Sequence, residues 1–285
     1  MWPPGTLRAP WEGEDVYESE RRHHRLLTAA LLRSFEGRAV ASHHSALVLH
    51  GARLWKSDLS VAQLCRAEDA HSRHRPSANL HPAVDSPPTP APGGLLTVPL
   101  AIAIVQVGLR PARQGARPFP LESLIAADGA LHDGLVTAEE LTAAVTAHAG
   151  TPGIPGVRNL LAHADGRHES VGETRLAHTM RALGYRFTPQ VWVVGGGKRW
   201  RADFELDQDP VVVEFDGLAK YAGGITRPSS AQLRDALAAE KWREERLRDS
   251  GREVVRFVWR EVDDVAVVRT RIDEAVQRAR RRVSA

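Results

Sequence analysis

The sequence predicts a mixed α/β protein in which a mainly helical N-terminal region precedes a C-terminal sheet with helices on both faces. Apolar residues at helical spacing dominate the chain up to about residue 166. From residue 170 onward, short apolar or alternating segments typical of strands are interleaved with helical segments in the order α-β-β-β-α-β-α. The third and fourth strands are joined through a helix, so we expect them to be parallel.

The composition is that of a globular protein. The chain has 285 residues, 42% of them hydrophobic, which is enough for one large or two medium domains. A single cysteine excludes an internal disulfide bond. We find neither a secretory signal nor an apolar run of about 18 residues, so a cytoplasmic location with no membrane anchor is expected. The formal charge of +3 is mild, but the arginine-rich segment 278–282 indicates either an anionic partner or a solvated helix end.

The N-terminal region divides into an arm and a helical body. Residues 1–16 contain Pro, Gly and isolated Trp without periodicity, which predicts a loose arm. Residues 17–166 begin with a helical pattern, and Ser42 and Gly51 are typical of the start and end of a second helix. The segment 71–94 is rich in Pro and small polar residues, so it predicts a loop or an irregular hairpin.

The domain expected at 167–285 starts with a helix whose N-terminus carries Ser170 and Glu173 at capping-box spacing. Strands are predicted at 187–194, 199–206, 211–216 and over REVVRFVW, and helices at 231–249 and 263–282. The second strand alternates apolar and charged residues, which predicts one shared apolar face for Trp200, Ala202, Phe204 and Leu206.

Three acidic residues are unusual for their place on these strands. Asp203 falls on the polar face of the second strand, and Glu214 and Asp216 point to one side of the third. Two carboxylates about 4 Å apart repel by about 4 kcal/mol at an effective dielectric near 20. A shared proton, a nearby Lys or Arg, or a divalent cation such as Mg²⁺ would offset this repulsion. A cation at such a site is suited to phosphodiester hydrolysis.

The same residues resemble a known family. The αβββαβ order, Glu173 in the first helix, Asp203 on the second strand and the E-x-D of Glu214 and Asp216 are similar to the PD-(D/E)XK restriction-endonuclease-like superfamily. Within it, VVVEFDGLAKY and EKWREERLRDSGREVVRFVW resemble Vsr-like endonuclease domains of unknown function, over about 170–275. In the N-terminal region, AVASHHSALVLHG resembles a degenerate form of the AbiEi-type antitoxin and regulator family.

The resemblance implies a role for each acid. Asp203 and Glu214 would be metal ligands, Glu173 an outer ligand and Asp216 a third acid, with Mg²⁺ or Mn²⁺ as the cofactor. The superfamily has a catalytic lysine two residues after its second acid, and this chain has Asp216 there. A lysine from elsewhere, Lys220 or Lys241, would then have to stabilise the developing negative charge.

Each acid also has a purely structural explanation. Glu173 could serve only to cap its helix. The other acids could be held in salt bridges, Asp203 with Arg199 or Arg201, and the third-strand pair with Lys220, Lys241 or Arg243.

Other polar residues suggest two further kinds of site. A phosphate backbone beside the acids would need neutralising, and the basic residues that flank them are Lys198, Arg199 and Arg201. An exposed hairpin would look the same. A zinc site is not expected, because the nearest cluster fits no standard ligand spacing, namely Cys65, His71 and His74.

The leading expectation is therefore a Mg²⁺-dependent DNA endonuclease domain behind a helical region that contacts DNA or a protein partner. The competing expectation is a non-catalytic DNA-binding regulator of the antitoxin type that keeps the nuclease fold. The absence of a lysine at position 216 favours the regulator, and the three acids favour the enzyme.

Overall fold

The computed structural model describes residues 15–66, 71–109, 120–195, 198–217 and 251–283 of the chain. The chain divides into two compact units, Met1–Gly166 and Arg167–Ala285, and the division coincides with the boundary predicted near residue 166. Helices and strands occur in both units, so the predicted mixed α/β class is confirmed. Nearly all of the arm predicted at 1–16 lies outside the described residues.

The first unit contains helices and short strands. The helices are α1 (Val16–Phe35), α2 (His43–His50), α3 (Leu100–Leu109), α4 (Leu121–His132), α5 (Ala138–Ala147) and α6 (Ile154–Leu161). The strands are β1 (Ala39–Ala41), β2 (Ala62–Arg66), β3 (Arg73–Arg75), β4 (Ala78–His81), β5 (Thr89–Pro90) and β6 (Leu96–Thr97). They form one sheet in the order β3-β4-β2-β1-β6-β5.

The sequence did not predict this sheet, although among the described residues of this unit the helices contain more residues than the strands, as predicted. Its strands have only two to five residues each, too few to show the period of two that identifies a strand in a sequence. Within 71–94, β3 and β4 form an antiparallel hairpin in which Arg73 pairs with Leu80 and Arg75 with Ala78. An irregular hairpin is therefore a closer description of this Pro-rich segment than a loop.

The ends of α2 lie at the two residues that the sequence predicts, Ser42 and Gly51. Gly51 ends α2 in a left-handed conformation with φ of 77°. Ser42 precedes α2 as predicted, but its hydroxyl does not cap the helix and lies 3.0 Å from Nδ1 of His43. None of the described helices combines the length and the apolar character that crossing a bilayer requires.

The described elements of the second unit follow the predicted order. Its described elements are α7 (Val171–Ala182), β7 (Phe187–Gly195), β8 (Lys198–Leu206), β9 (Val211–Asp216), β10 (Glu253–Val258) and α8 (Val265–Val283). The strands pair in the order β10-β9-β8-β7, with β9 and β10 parallel and the other neighbours antiparallel. The parallel pair is confirmed, and the helix predicted at 231–249 lies outside the described residues.

Both described helices of the second unit pack on one face of this sheet. One core cluster joins the two helices to the inward side chains of three strands, and its members include Leu176, Met180, Phe204, Val213, Phe257 and Ile272. The predicted inward line of the first helix, with Leu176 and Met180 fully buried, is therefore confirmed. The placement of helices on both faces of the sheet stays a prediction, because the helix predicted at 231–249 lies outside the described residues.

The apolar face predicted for β8 is divided between two clusters. Phe204 packs beneath the helices, whereas Ala202 packs with Val193 and Val212 in a separate cluster. Val212 and Val213 follow one another along β9 and so point to opposite faces of the sheet. The prediction of one shared face was wrong, because β8 leaves the regular ladder near Asp203 and its earlier half covers the other side of β9.

Candidate functional site

A glycine fixes the start of α7 against the end of β9. A Cβ atom at Gly172 would lie 2.0 Å from the Phe215 ring, so a larger residue does not fit between this helix and this strand. The Phe215 ring also packs edge-on against Trp259, with 4.8 Å between ring centroids. Buried Arg175 lies over the Trp259 ring and joins the same corner. The first turn of α7, with Glu173, is thereby held beside the carboxyl end of β9.

Asp203 lies where the β8–β9 ladder ends. Phe204 and Val213 form the last paired rung, and Asp203 and Glu214 are the next residues beyond it on the two strands. Oδ2 of Asp203 accepts a hydrogen bond of 2.7 Å from the backbone N–H of Phe215. The carboxylate thus replaces a backbone acceptor and is fixed directly beside the E-x-D segment.

Glu214 is only 4% exposed and forms an ion pair with Arg256 of β10. The two residues are register partners in the parallel strand pair, and Nε of Arg256 donates to Oε2 of Glu214 at 2.9 Å. Sequence reasoning missed this partner and considered Lys220, Lys241 and Arg243 instead. The parallel pairing was predictable, but the sequence does not give its register, which decides the pair.

Asp216 is the last residue of β9, half-buried and in register with Val258 of β10. It stands two residues after Glu214, at the place where the resemblance expects a lysine. Lys220 and Lys241 both lie outside the described residues, so their role stays a prediction.

Glu173 is buried and makes more contacts than a helix cap requires. Its N–H donates to Oγ of Ser170 at 3.1 Å, which is the predicted cap. Its Oε2 accepts hydrogen bonds from the N–H of Glu169 at 2.8 Å and from Nε2 of Gln190 at 2.9 Å. Gln190 has a φ of 56°, and it interrupts the β7–β8 ladder at the position that faces Asp203. Sequence reasoning also missed Gln190, which connects Glu173 to this part of the sheet.

Gln190 has a left-handed backbone conformation that is unfavourable for a residue with a side chain. A residue with a side chain in this conformation is strained, by about 1 kcal/mol or more, and such residues cluster at functional sites. A glycine would adopt this conformation without strain, so contacts of the Gln190 side chain must offset the cost. The contact with Glu173 is the visible one.

Across the described ranges, no three or more His, Cys, Asp or Glu side chains are arranged to hold a metal ion. Of the residues considered for zinc, Cys65 is buried in the first unit, and burial raises the pKa of its thiol. His71 and His74 are exposed.

Comparison with known proteins identifies relatives along nearly the whole chain. Two curated proteins of Mycobacterium tuberculosis, uncharacterized protein Rv2248 of strain H37Rv and uncharacterized protein MT2308 of strain CDC 1551, are each 31% identical to it over 265 residues. These residues cover 92% of this chain and 88% of each relative. This chain belongs to their family. No family model matches it, and no solved structure does.

Two basic residues of the β7–β8 hairpin contact groups other than the candidate acids Glu173, Asp203, Glu214 and Asp216. The guanidinium of Arg199 lies over the Trp192 ring, 4.9 Å from its centroid. Arg201 forms an ion pair with Glu169. Lys198 is the first residue of β8, and its side chain is outside the described part of the structure. The expectation that these three residues bind nucleic acid stays a prediction.

The arginine-rich end of α8 contacts acids of its own unit. Arg278 and Arg282 both reach the carboxylate of Glu253, each at 2.9 Å, and Glu253 is 5% exposed. Arg280 pairs with Asp209 at 2.7 Å. These contacts favour a role for the basic segment inside the fold over a surface for an anionic partner.

Proposed function

We propose that the second unit of this chain hydrolyses phosphodiester bonds of DNA with Mg²⁺ or Mn²⁺ as cofactor. The observation that carries the proposal is that Asp203 and Glu214 are the next residues of their strands beyond the last paired rung of β8 and β9. Asp216 follows on the same strand, and Glu173 is held beside that strand by the Gly172 contact. Four acids near one corner of a sheet are unfavourable unless positive charge accompanies them. The resemblance to the PD-(D/E)XK superfamily supports the same residues.

The donor set fits a hard divalent cation. Mg²⁺ prefers carboxylate oxygens and is often held by only one or two of them, with water and phosphate at its other positions. A pair of acids is therefore sufficient, and a group of three is not required. Asp203 and Glu214 would hold the ion, with Glu173 as an outer ligand. When bound, the ion would orient and activate water and would stabilise charge on the phosphate.

The chain's own hydrogen bonds fix these carboxylates before a substrate arrives. Asp203 is held by the N–H of Phe215, Glu214 by Arg256, and Glu173 by Gln190. Groups that are already oriented need no reorganisation during the reaction, which is where much of the electrostatic contribution to catalysis arises. Lys220 or Lys241 would supply the cation that stabilises the transition state in place of a lysine at position 216.

A specific observation favours a second function, a non-catalytic DNA-binding regulator of the antitoxin type. Arg256 offsets the charge of Glu214 without any metal, and Asp216 replaces the expected lysine. In this case the second unit would keep the nuclease fold for binding, and the first unit would contribute contacts to DNA or to a protein partner. With either function we expect the protein to act on DNA in the cytoplasm.

Plasmid cleavage by the purified full-length chain with Mg²⁺ or Mn²⁺ separates the two functions. Asp203→Asn and Glu214→Gln are the sharpest variants, because each keeps an oxygen that accepts the observed hydrogen bond and removes only the charge. We expect each to lower the cleavage rate by at least about 100-fold. Glu274→Gln is the matched control, because its side chain is 60% exposed on α8 and should leave the rate unchanged.

Two results would contradict the enzyme. Cleavage that persists in both variants would exclude this site. DNA binding by the wild type without cleavage in either metal would support the regulator. If cleavage occurs, Lys220→Ala and Lys241→Ala identify which lysine assists, because only the assisting one should lower the rate.

A further inference from the structure

The outer half of the β7–β8 hairpin is a two-stranded ribbon with two different faces. Its rungs run from Val191–Ala202 to Gly195–Lys198. One face carries Val193 and Ala202, both buried, with Trp200 packed against them. Because residues opposite one another on antiparallel strands share a face, the other face carries Trp192 with Arg201 and Val194 with Arg199.

The second face is open to solvent and partly apolar. Trp192 is 56% exposed and Val194 is 61% exposed. Among the Phe, Trp and Tyr residues that the structure describes, Trp192 is the one that is mostly exposed. Exposure of a large aromatic side chain loses burial free energy, so it points to a partner that covers it. β7 is also the outer strand of the described sheet, which leaves this face accessible from the edge.

Arg199 determines the kind of partner. Arg199 is the diagonal neighbour of Trp192 across the two strands, and its guanidinium lies over the indole ring, 4.9 Å from the ring centroid. A stacked guanidinium uses its flat face on the ring and keeps its N–H groups in the plane for an anion such as phosphate. Arg201, in contrast, is already engaged with Glu169, so we assign the anion contact to Arg199.

We propose that this ribbon face binds single-stranded DNA, with Trp192 stacking on a base and Arg199 contacting the adjoining phosphate. The inference rests on the proposed function, since it takes DNA as the substrate. Single-strand binding surfaces combine cationic side chains for the backbone with aromatic rings on which bases stack. In duplex DNA the bases are stacked on each other, and the exposed ring would gain little from it. A purely protein partner would not need the stacked cation.

The ribbon lies next to the candidate acids along β8, so DNA bound to the ribbon would extend toward them. Arg199 and Asp203 are four residues apart on β8, which corresponds to about 13 Å along an extended strand. A nucleic acid held at Trp192 would therefore lie within a few nucleotides of Asp203 and Glu214. Binding and cleavage would then use neighbouring but separate residues, which makes them separable by experiment.

Fluorescence anisotropy with a labelled oligothymidine, in EDTA so that no cleavage occurs, tests the proposal on the full-length chain. We expect Trp192→Ala to weaken binding about tenfold or more, and Trp192→Phe to restore most of it because an aromatic ring remains. Arg199→Ala should weaken binding and lower its salt dependence by about one counterion. Val265→Ala and Arg281→Ala are the controls, because they change an exposed apolar residue and an exposed arginine of α8, away from the ribbon.

The outcomes separate this inference from the proposed function. Oligothymidine binding that is unchanged in Trp192→Ala, or tighter binding of a duplex of the same length, would overturn the inference even if plasmid cleavage occurs. Trp192-dependent binding with no cleavage in any metal would support the ribbon and refute the enzyme.

Discussion

At the scale of single residues, the pair Glu214–Arg256 is the most consequential contact of the second unit. Glu214 is almost fully buried, and Arg256 is about four-fifths buried, so both charges have lost most of their water. Removing one member of such a pair leaves the other charge without compensation, whereas removing both can be nearly neutral. The ion pair with Arg256 therefore offsets the cost of burying the Glu214 carboxylate.

We expect Arg256→Leu to lower the free energy of unfolding by about 3 kcal/mol, because it removes the ion-pair partner that lies 2.9 Å from the buried carboxylate of Glu214. The double variant Glu214→Leu with Arg256→Leu should recover most of this loss. Urea unfolding at neutral pH measures both. A double variant that loses as much as the two single variants together would show that the charges are not coupled.

At the scale of elements, helix ends and strand order in the second unit follow from the sequence, while the contacts between elements do not. Ser170 marks the start of α7 correctly, and the alternation around Asp203 marks β8. The interruption at Gln190 has no sequence signature, because a left-handed glutamine in a strand looks like any other polar residue. The register that joins Glu214 to Arg256 depends on packing, which the local pattern does not contain.

In the first unit, the sequence pattern indicates even less about which strands pair. Its strands are too short for alternation to appear, and β1 joins β6 only through Ala41 and Thr97, far apart in the chain. Long-range pairing of this kind is fixed by the assembled fold. The strand positions of Asp203, Glu214 and Asp216 were predictable because the sequence pattern marks β8 and β9, but the partners of these acids were not.

We expect Gly172→Ala to destabilise the second unit by about 1 to 3 kcal/mol, because the new methyl group would overlap the Phe215 ring unless α7 moves. Gly156→Ala on α6 is the control, because a Cβ atom added there would meet nothing within 4 Å and alanine favours a helix. Chemical unfolding of both variants provides the comparison. Equal stability of Gly172→Ala and the wild type would show that this helix does not need its close approach to β9.

At the scale of the whole molecule, the described core residues form clusters that are each confined to one unit. A perturbation of the core of one unit should therefore act on the unfolding of that unit. His24 provides such a perturbation in the first unit. Its Nδ1 donates to the carbonyl of Leu59 at 2.7 Å, and its Nε2 lies 2.8 Å from Oγ of Ser45, so the neutral ring satisfies both contacts.

Burial lowers the pKa of His24 from 6.5 to about 4. Between these values the unfolded chain binds a proton that the folded chain does not, so the free energy of unfolding falls as the pH falls from 6.5 toward 4. The loss should total about 3 kcal/mol, at about 1.4 kcal/mol per pH unit. His24→Asn should remove this part of the pH dependence. Calorimetry across this pH range measures it, and equal slopes for variant and wild type would contradict the assignment.

The arginines at the end of α8 have a practical consequence for anyone who shortens this protein. Removing the last two turns of that helix would take away Arg278, Arg280 and Arg282 together and would leave Glu253 and Asp209 without the counter-charges seen here. Glu253 begins β10, the strand that also carries Arg256. A C-terminal truncation that removes the basic segment would therefore also disturb the strand that positions Glu214 of the candidate active site.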